Sequence, residues 1–191
     1  EGRGRGWALT IVEAWPGMDA VHVVQRMNLS SFGWSKGLGL EGVTWNRFEN
    51  VFYATQEKHP KVIWKVGLDG QAEALVNLDS DPASIPGALR QGDMAGAYYR
   101  AGDQGLYVLS EDVSAIHWVG FNGSVRSDAK TAILADMPEG LTFTPDGELM
   151  ILVGEPNVLE VYTSVGECFW SPFQNNTKYL RGSSQDPDSS G

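Results

Sequence analysis

Five glutamates carry the chemistry that this chain could perform: Glu41, Glu57, Glu111, Glu139 and Glu155. Sixteen residues separate Glu41 from Glu57, and the same interval separates Glu139 from Glu155. It also separates Glu111 from Ala95, which stands where the other repeats carry their first acid. Each first member is followed by glycine, an apolar residue, a variable residue and an aromatic: Gly42-Val43-Thr44-Trp45, Gly96-Ala97-Tyr98-Tyr99 and Gly140-Leu141-Thr142-Phe143. Carboxylates gathered without matching cations repel one another, so they raise their pKa values or bind a cation. Oxygen-only ligands favour Ca²⁺ or Mg²⁺ over zinc. The competing role is structural, with a carboxylate at a strand end accepting backbone N–H bonds from its neighbour. Lys58, beside Glu57, would partly neutralise such a group.

The case for catalysis is thin. The chain has no Gly-x-Ser-x-Gly elbow, no His-Glu-x-x-His pair and no phosphate-binding glycine loop. His59, two residues after Glu57, is the one candidate general base. His22 and His117 read as strand residues with packing or surface roles. Paired carboxylates cleave glycosides only at defined separations, which the spacing does not fix. Cys168 is the single cysteine, so no internal disulfide forms and it reads as a small packed side chain.

Fourteen basic and 24 acidic residues leave a net charge of −10. Nucleic acid, whose binding rests on basic contacts to phosphate, is therefore not an expected partner. Seven Trp and six Tyr mark a folded chain. No stretch reaches the length of a membrane span. Sequons at Asn28, Asn122 and Asn175 point to a secreted, glycosylated protein. Position 1 is Glu, so the chain is expected to be a processed product or part of a longer polypeptide.

Elements of period two must position the acids. Trp7–Ala14 and Ala20–Leu29 read as a strand pair around Pro16-Gly17. Glu41–Asn46, Val51–Glu57, Val62–Val66 and Ala72–Leu78 make a four-stranded meander with a tight Asp69-Gly70 turn. A second runs through Met94–Arg100, Leu106–Ser110, Ala115–Phe121 and Thr131–Ala135. A third runs through Glu139–Thr144, Glu148–Val153 and Val158–Thr163, with a fourth strand at Glu167–Trp170. No helix is expected. Repeated four-stranded meanders predict an all-β chain of β-propeller blades, and a β-sandwich would not explain the repeated motif. The blades occupy residues 1–165, the first one partial, with full repeats from 40, 94 and 138. A C-terminal extension (166–181) and a disordered tail or linker (182–191) follow.

The phrases GLEGVTW, ATQEKHP, VIWKVGLDG, YVLSEDVSAIHWVGFNG and MPEGLTFTPDGELMILVGEPN resemble the SdiA-regulated family from about Gly37 to Tyr162. The resemblance implies a six-bladed β-propeller, mostly extracytoplasmic in that family. More distant relatives by architecture include esterase-like phytase and gluconolactonase-type propellers, some with a metal in the central tunnel. Two departures stand out: Ala95 breaks the acidic pattern, and the first one or two blades are not in the chain. Six blades at about 40 residues each need roughly 240 residues, so this chain supplies about four. Missing blades or another protein chain are expected to complete the ring. In a blade, the start of the first strand and the end of the second lie at one face, so the five glutamates should gather at one mouth of the channel. Asp93 and Asp112 would join them. The expectation is a secreted acidic binding or structural module of a larger glycoprotein or assembly, with Ca²⁺ at the mouth. The alternative is a metal-dependent esterase- or lactonase-like hydrolase.

Overall fold

The computed structural model describes residues 8–13, 22–29, 39–57, 60–80, 89, 92–132, 137–144, 149–155, 158–164 and 170–172. The elements placed among the described residues are β-strands, and Leu89 alone is helical. β1 (Ala8–Glu13) and β2 (His22–Asn28) form a two-stranded sheet. β3 (Leu40–Asn46), β4 (Val51–Gln56), β5 (Val62–Gly67) and β6 (Ala72–Asn77) form the first full blade. β7 (Met94–Tyr99), β8 (Gly105–Ser110), β9 (Ala115–Gly120) and β10 (Val125–Ala132) form the second. β11 (Met137–Phe143), β12 (Leu149–Glu155), β13 (Val158–Ser164) and β14 (Trp170–Pro172) form the third. Every pairing is antiparallel between sequence neighbours. β3 packs on β7 and β7 on β11, so the first strand of each blade lies innermost. This is the arrangement of a β-propeller, present here as an arc.

The side-chain pattern follows from that stacking. β8 (GLYVLS) is buried along its whole length because both of its faces are covered. Leu106 and Val108 enter a core with Tyr53, Ile63 and Val76 of the first blade. Tyr107 and Leu109 point the other way, to Phe143 and Tyr162 of the third. A strand covered on both faces reads as a continuous apolar run. The Tyr99 N–H donates to Thr44 Oγ1 across the first blade boundary at 3.0 Å. The Asp69-Gly70 and Asn122-Gly123 turns close with φ of +82° and +83° at the glycines, a conformation that glycine adopts at little cost.

Two strand expectations need correction. The fourth strand of the second blade begins at Val125, not Thr131, and ends at Ala132. Its early residues are polar because it lies on the rim, where Arg126 places its guanidinium 5.6 Å from the Trp118 ring centre. An irregularity between Arg126 and Thr131 separates the two paired stretches. The fourth strand of the third blade is Trp170–Pro172, pairing with Tyr162–Ser164. It falls within the stretch expected to be an extension. Residues 182–191 lie outside the described residues.

Candidate functional site

The repeated acidic position is a β-bulge. Leu40 pairs with Gln56 and Gly42 with Thr55, which leaves Glu41 with no residue opposite. Met94 pairs with Ser110 and Gly96 with Leu109, skipping Ala95. Pro138 pairs with Gly154 and Gly140 with Val153, skipping Glu139. A bulge adds one residue to a strand and re-aims its side chains. Glu41 and Glu139 are exposed there, and Ala95 is half-buried. The bulged residue also explains the apolar spacing. Met94 and Tyr99 both face the first blade although five residues apart, because the extra residue shifts the alternation.

The same register sets the start of each first strand beside the end of the second, through the pairs Leu40–Gln56, Met94–Ser110 and Met137–Glu155. Glu57 follows β4, half-buried, and its N–H donates to the Gly39 carbonyl at 3.0 Å. Glu111 opens the turn after β8. Its pKa is raised, first by burial and then by the charges of Glu139, Asp112, Asp93 and Glu57. Glu57, Glu139, Asp93 and Asp112 thus each bear on the charge of Glu111. Asp112 also has the structural role, since its Oδ2 accepts the Asp93 N–H at 3.2 Å and ties the entry of β7 to the exit of β8. Glu155 closes β12; its side chain, like His59 and Lys58 altogether, lies outside the described residues. Among the described residues, no three Asp, Glu, His or Cys side chains stand close enough to hold a metal ion between them.

The cation that meets these carboxylates is Lys61, which the sequence reading did not single out. It is 2% exposed. Its Nζ donates to the carbonyls of Leu89, at 3.4 Å, and Gly92. Its backbone N–H donates to Asp79 Oδ2 at 2.9 Å. Burial lowers its pKa, while Asp93, Asp79 and Asp112 act in the opposite direction. Lys61 thus holds the chain that delivers Asp93 to the mouth. Its one sequence signal is a lysine placed directly before an apolar strand. His117 is buried within β9. Of the sequons, Asn28 lies at the end of β2 and Asn175 lies outside the described residues. Asn122 is exposed in the β9–β10 turn, where its Oδ1 accepts the Ser124 N–H at 3.0 Å.

The raised Glu111 pKa has a sign that can be checked. The folded state holds that proton more tightly than the unfolded chain does. The resulting stabilisation is complete below about pH 4 and is lost as pH rises through the raised value. Glu111→Gln is expected to raise the unfolding temperature at pH 7 in low salt. The difference from the parent should shrink below about pH 4 and also in about 1 M salt. Thermal unfolding across pH and salt measures this, and a lower unfolding temperature at pH 7 would contradict the crowding of negative charge.

No curated protein matches the chain. Among solved structures, it is similar to the hydrazine synthase of Kuenenia stuttgartiensis, at 14% identity and a TM-score of 0.48, covering 73% of this chain and 38% of that one. It is also similar to regucalcin, described as a calcium-binding protein, from Agrobacterium tumefaciens strain C58. There the identity is 13% and the TM-score 0.47, covering 70% of this chain and 41% of that one. The chain thus spans about two-fifths of the length of these two structures. The family model of the SdiA-regulated proteins matches residues 8–163, from the first residue of β1 almost to the end of β13, and the chain belongs to that family.

Proposed function

We propose that this chain is a secreted binding and structural module of a larger glycoprotein or assembly, whose acidic mouth takes a divalent cation. The observation that carries the reading is the raised Glu111 pKa, set first by burial and then by the charges of Glu139, Asp112, Asp93 and Glu57. A divalent cation would relieve that repulsion, and an oxygen-only set suits Ca²⁺. The described carboxylates do not form a closed cage. Affinity is accordingly expected in the weak range of extracellular modules, about 10⁻⁴–10⁻³ M. The exposed Asn122 sequon supports the secreted, glycosylated setting. Thermal unfolding in Ca²⁺ against chelator tests the proposal. The parent should gain stability with Ca²⁺, and the Glu111→Gln, Glu139→Gln double variant should lose most of that gain. A parent whose unfolding temperature ignores Ca²⁺ removes the cation from the reading.

A further inference from the structure

We infer that Asn122 is a self-modification site, where the Gly123 nitrogen displaces the side-chain amide and leaves an aspartate that the turn accepts. The inference is independent of the cation. Asn122-Gly123 is the one Asn-Gly pair in the chain. Attack on the Asn122 Cγ needs the following nitrogen to come close, and a glycine brings no Cβ to obstruct it. Asn122 and Ser124 are both exposed in the turn between β9 and β10, so water reaches them.

The first blade carries the same turn with an aspartate already in place. There the Gly67 N–H donates to the Gln71 carbonyl at 2.8 Å, and the Gly70 N–H to the Gly67 carbonyl at 3.0 Å. The Gln71 N–H donates to Asp69 Oδ1 at 3.0 Å. In the second blade the Gly120 N–H donates to the Ser124 carbonyl at 2.7 Å, and the Gly123 N–H to the Gly120 carbonyl at 2.9 Å. The Ser124 N–H donates to Asn122 Oδ1 at 3.0 Å. In both turns that oxygen rests over the first glycine. A Cβ at Gly67 would stand 2.6 Å from Asp69 Oδ1, and one at Gly120 would stand 2.8 Å from Asn122 Oδ1. An aspartate at 122 therefore keeps the turn bond for bond. An isoaspartate, which lengthens the main chain by one carbon, does not.

One contact has no counterpart in the first blade, where position 71 is glutamine. The Ser124 hydroxyl also donates to Asn122 Oδ1, at 2.7 Å. Two donors on one amide oxygen polarise its carbonyl and stand ready for the negative charge that develops there during attack. The Gly123 N–H must first leave the Gly120 carbonyl, and the loss of such a bond slows attack about fivefold. The Ser124 hydroxyl acts in the opposite direction by a similar factor, because a bond to a charged oxygen is about twice as strong as one to a neutral oxygen. The Gly123 nitrogen bonds to Cγ, the Cγ–Nδ2 bond breaks, and ammonia leaves with the Gly123 proton. Water then opens the cyclic imide. The same two donors polarise Cγ again, so water adds there and gives aspartate; addition at the main-chain carbonyl gives isoaspartate.

The test keeps the intact folded chain in mildly alkaline buffer with chelator, beside the same chain in denaturant, and follows Asn122 by mass spectrometry of its peptide. The chain is produced without glycans, because a glycan on Asn122 Nδ2 would replace ammonia as the leaving group. Asn122 should convert in the folded chain at a rate within about tenfold of the denatured one, with a larger share of aspartate. Ser124→Ala should slow the folded conversion about fivefold and shift its product toward isoaspartate. Asn122→Asp should unfold at the parent's temperature. An Asn122 that stays intact in the folded chain while the denatured chain converts overturns the inference. So does a folded Ser124→Ala variant that converts as fast as the parent, or an Asn122→Asp variant that unfolds several degrees lower.

Discussion

Gly42→Ala is expected to lower folding stability by about 3 kcal/mol, and Gly140→Ala to change it by less than about 0.5 kcal/mol. Both glycines follow a bulged glutamate in a first strand, so propensity and local pairing are alike. Their surroundings differ. A Cβ at Gly42 would meet Thr55 Oγ1 at 2.5 Å, the Ala97 nitrogen at 2.7 Å and the Gly96 carbonyl carbon at 2.9 Å. Thr55 can rotate, at the expense of the bond its Oγ1 accepts from the Gly42 N–H at 3.0 Å. The other two atoms belong to the backbone of β7, so relief requires the first two blades to separate. A Cβ at Gly140 meets nothing within 4 Å among the described residues. Denaturant unfolding of both variants and the parent decides the matter. Equal losses at the two sites would show that the first blade contact is looser than described.

Tyr53→Ala is expected to cost about 3–5 kcal/mol, the range for deleting a large buried aromatic. Tyr53 is 1% exposed and sits where the first and second blades meet. Its ring lies 5.6 Å from Tyr99 and 4.9 Å from Phe121, both in the second blade. Its hydroxyl accepts a bond from Asn46 Nδ2 at 3.3 Å. Burial raises the pKa of that hydroxyl above its ordinary value, so it remains a neutral partner at physiological pH. Tyr53→Phe keeps the ring and removes the hydroxyl, and should cost about 1 kcal/mol. A Tyr53→Ala loss no larger than the Tyr53→Phe loss would mean that the rings do not join the blades.

Much of this architecture is legible from period-two patterning and punctuation. The motif beginning at Leu40, Met94 and Pro138 marks three innermost strands, and Asp69-Gly70 and Asn122-Gly123 mark equivalent turns. Two things were hidden. Polarity concealed the start of β10, because an outer strand with Arg126-Ser127-Asp128 need not alternate in apolar residues. Pairing concealed the bulge, because the absence of a residue opposite Glu41 is a property of two strands together. At the mouth, Glu57 and Glu139 both act on the charge of Glu111, although no three described Asp, Glu, His or Cys side chains come close enough to share an ion. The contribution of Lys61 was not readable, since its carbonyl partners at Leu89 and Gly92 lie 28 and 31 residues away.

Ala95 separates two properties that Glu41 and Glu139 combine. The middle strand skips a residue in the same place without a carboxylate, so the backbone device does not depend on the acid. Shape and charge are thus inherited independently from one repeat to the next. The number of negative charges at the mouth can be tuned blade by blade through a single side chain, with the stacking of the blades left as it was.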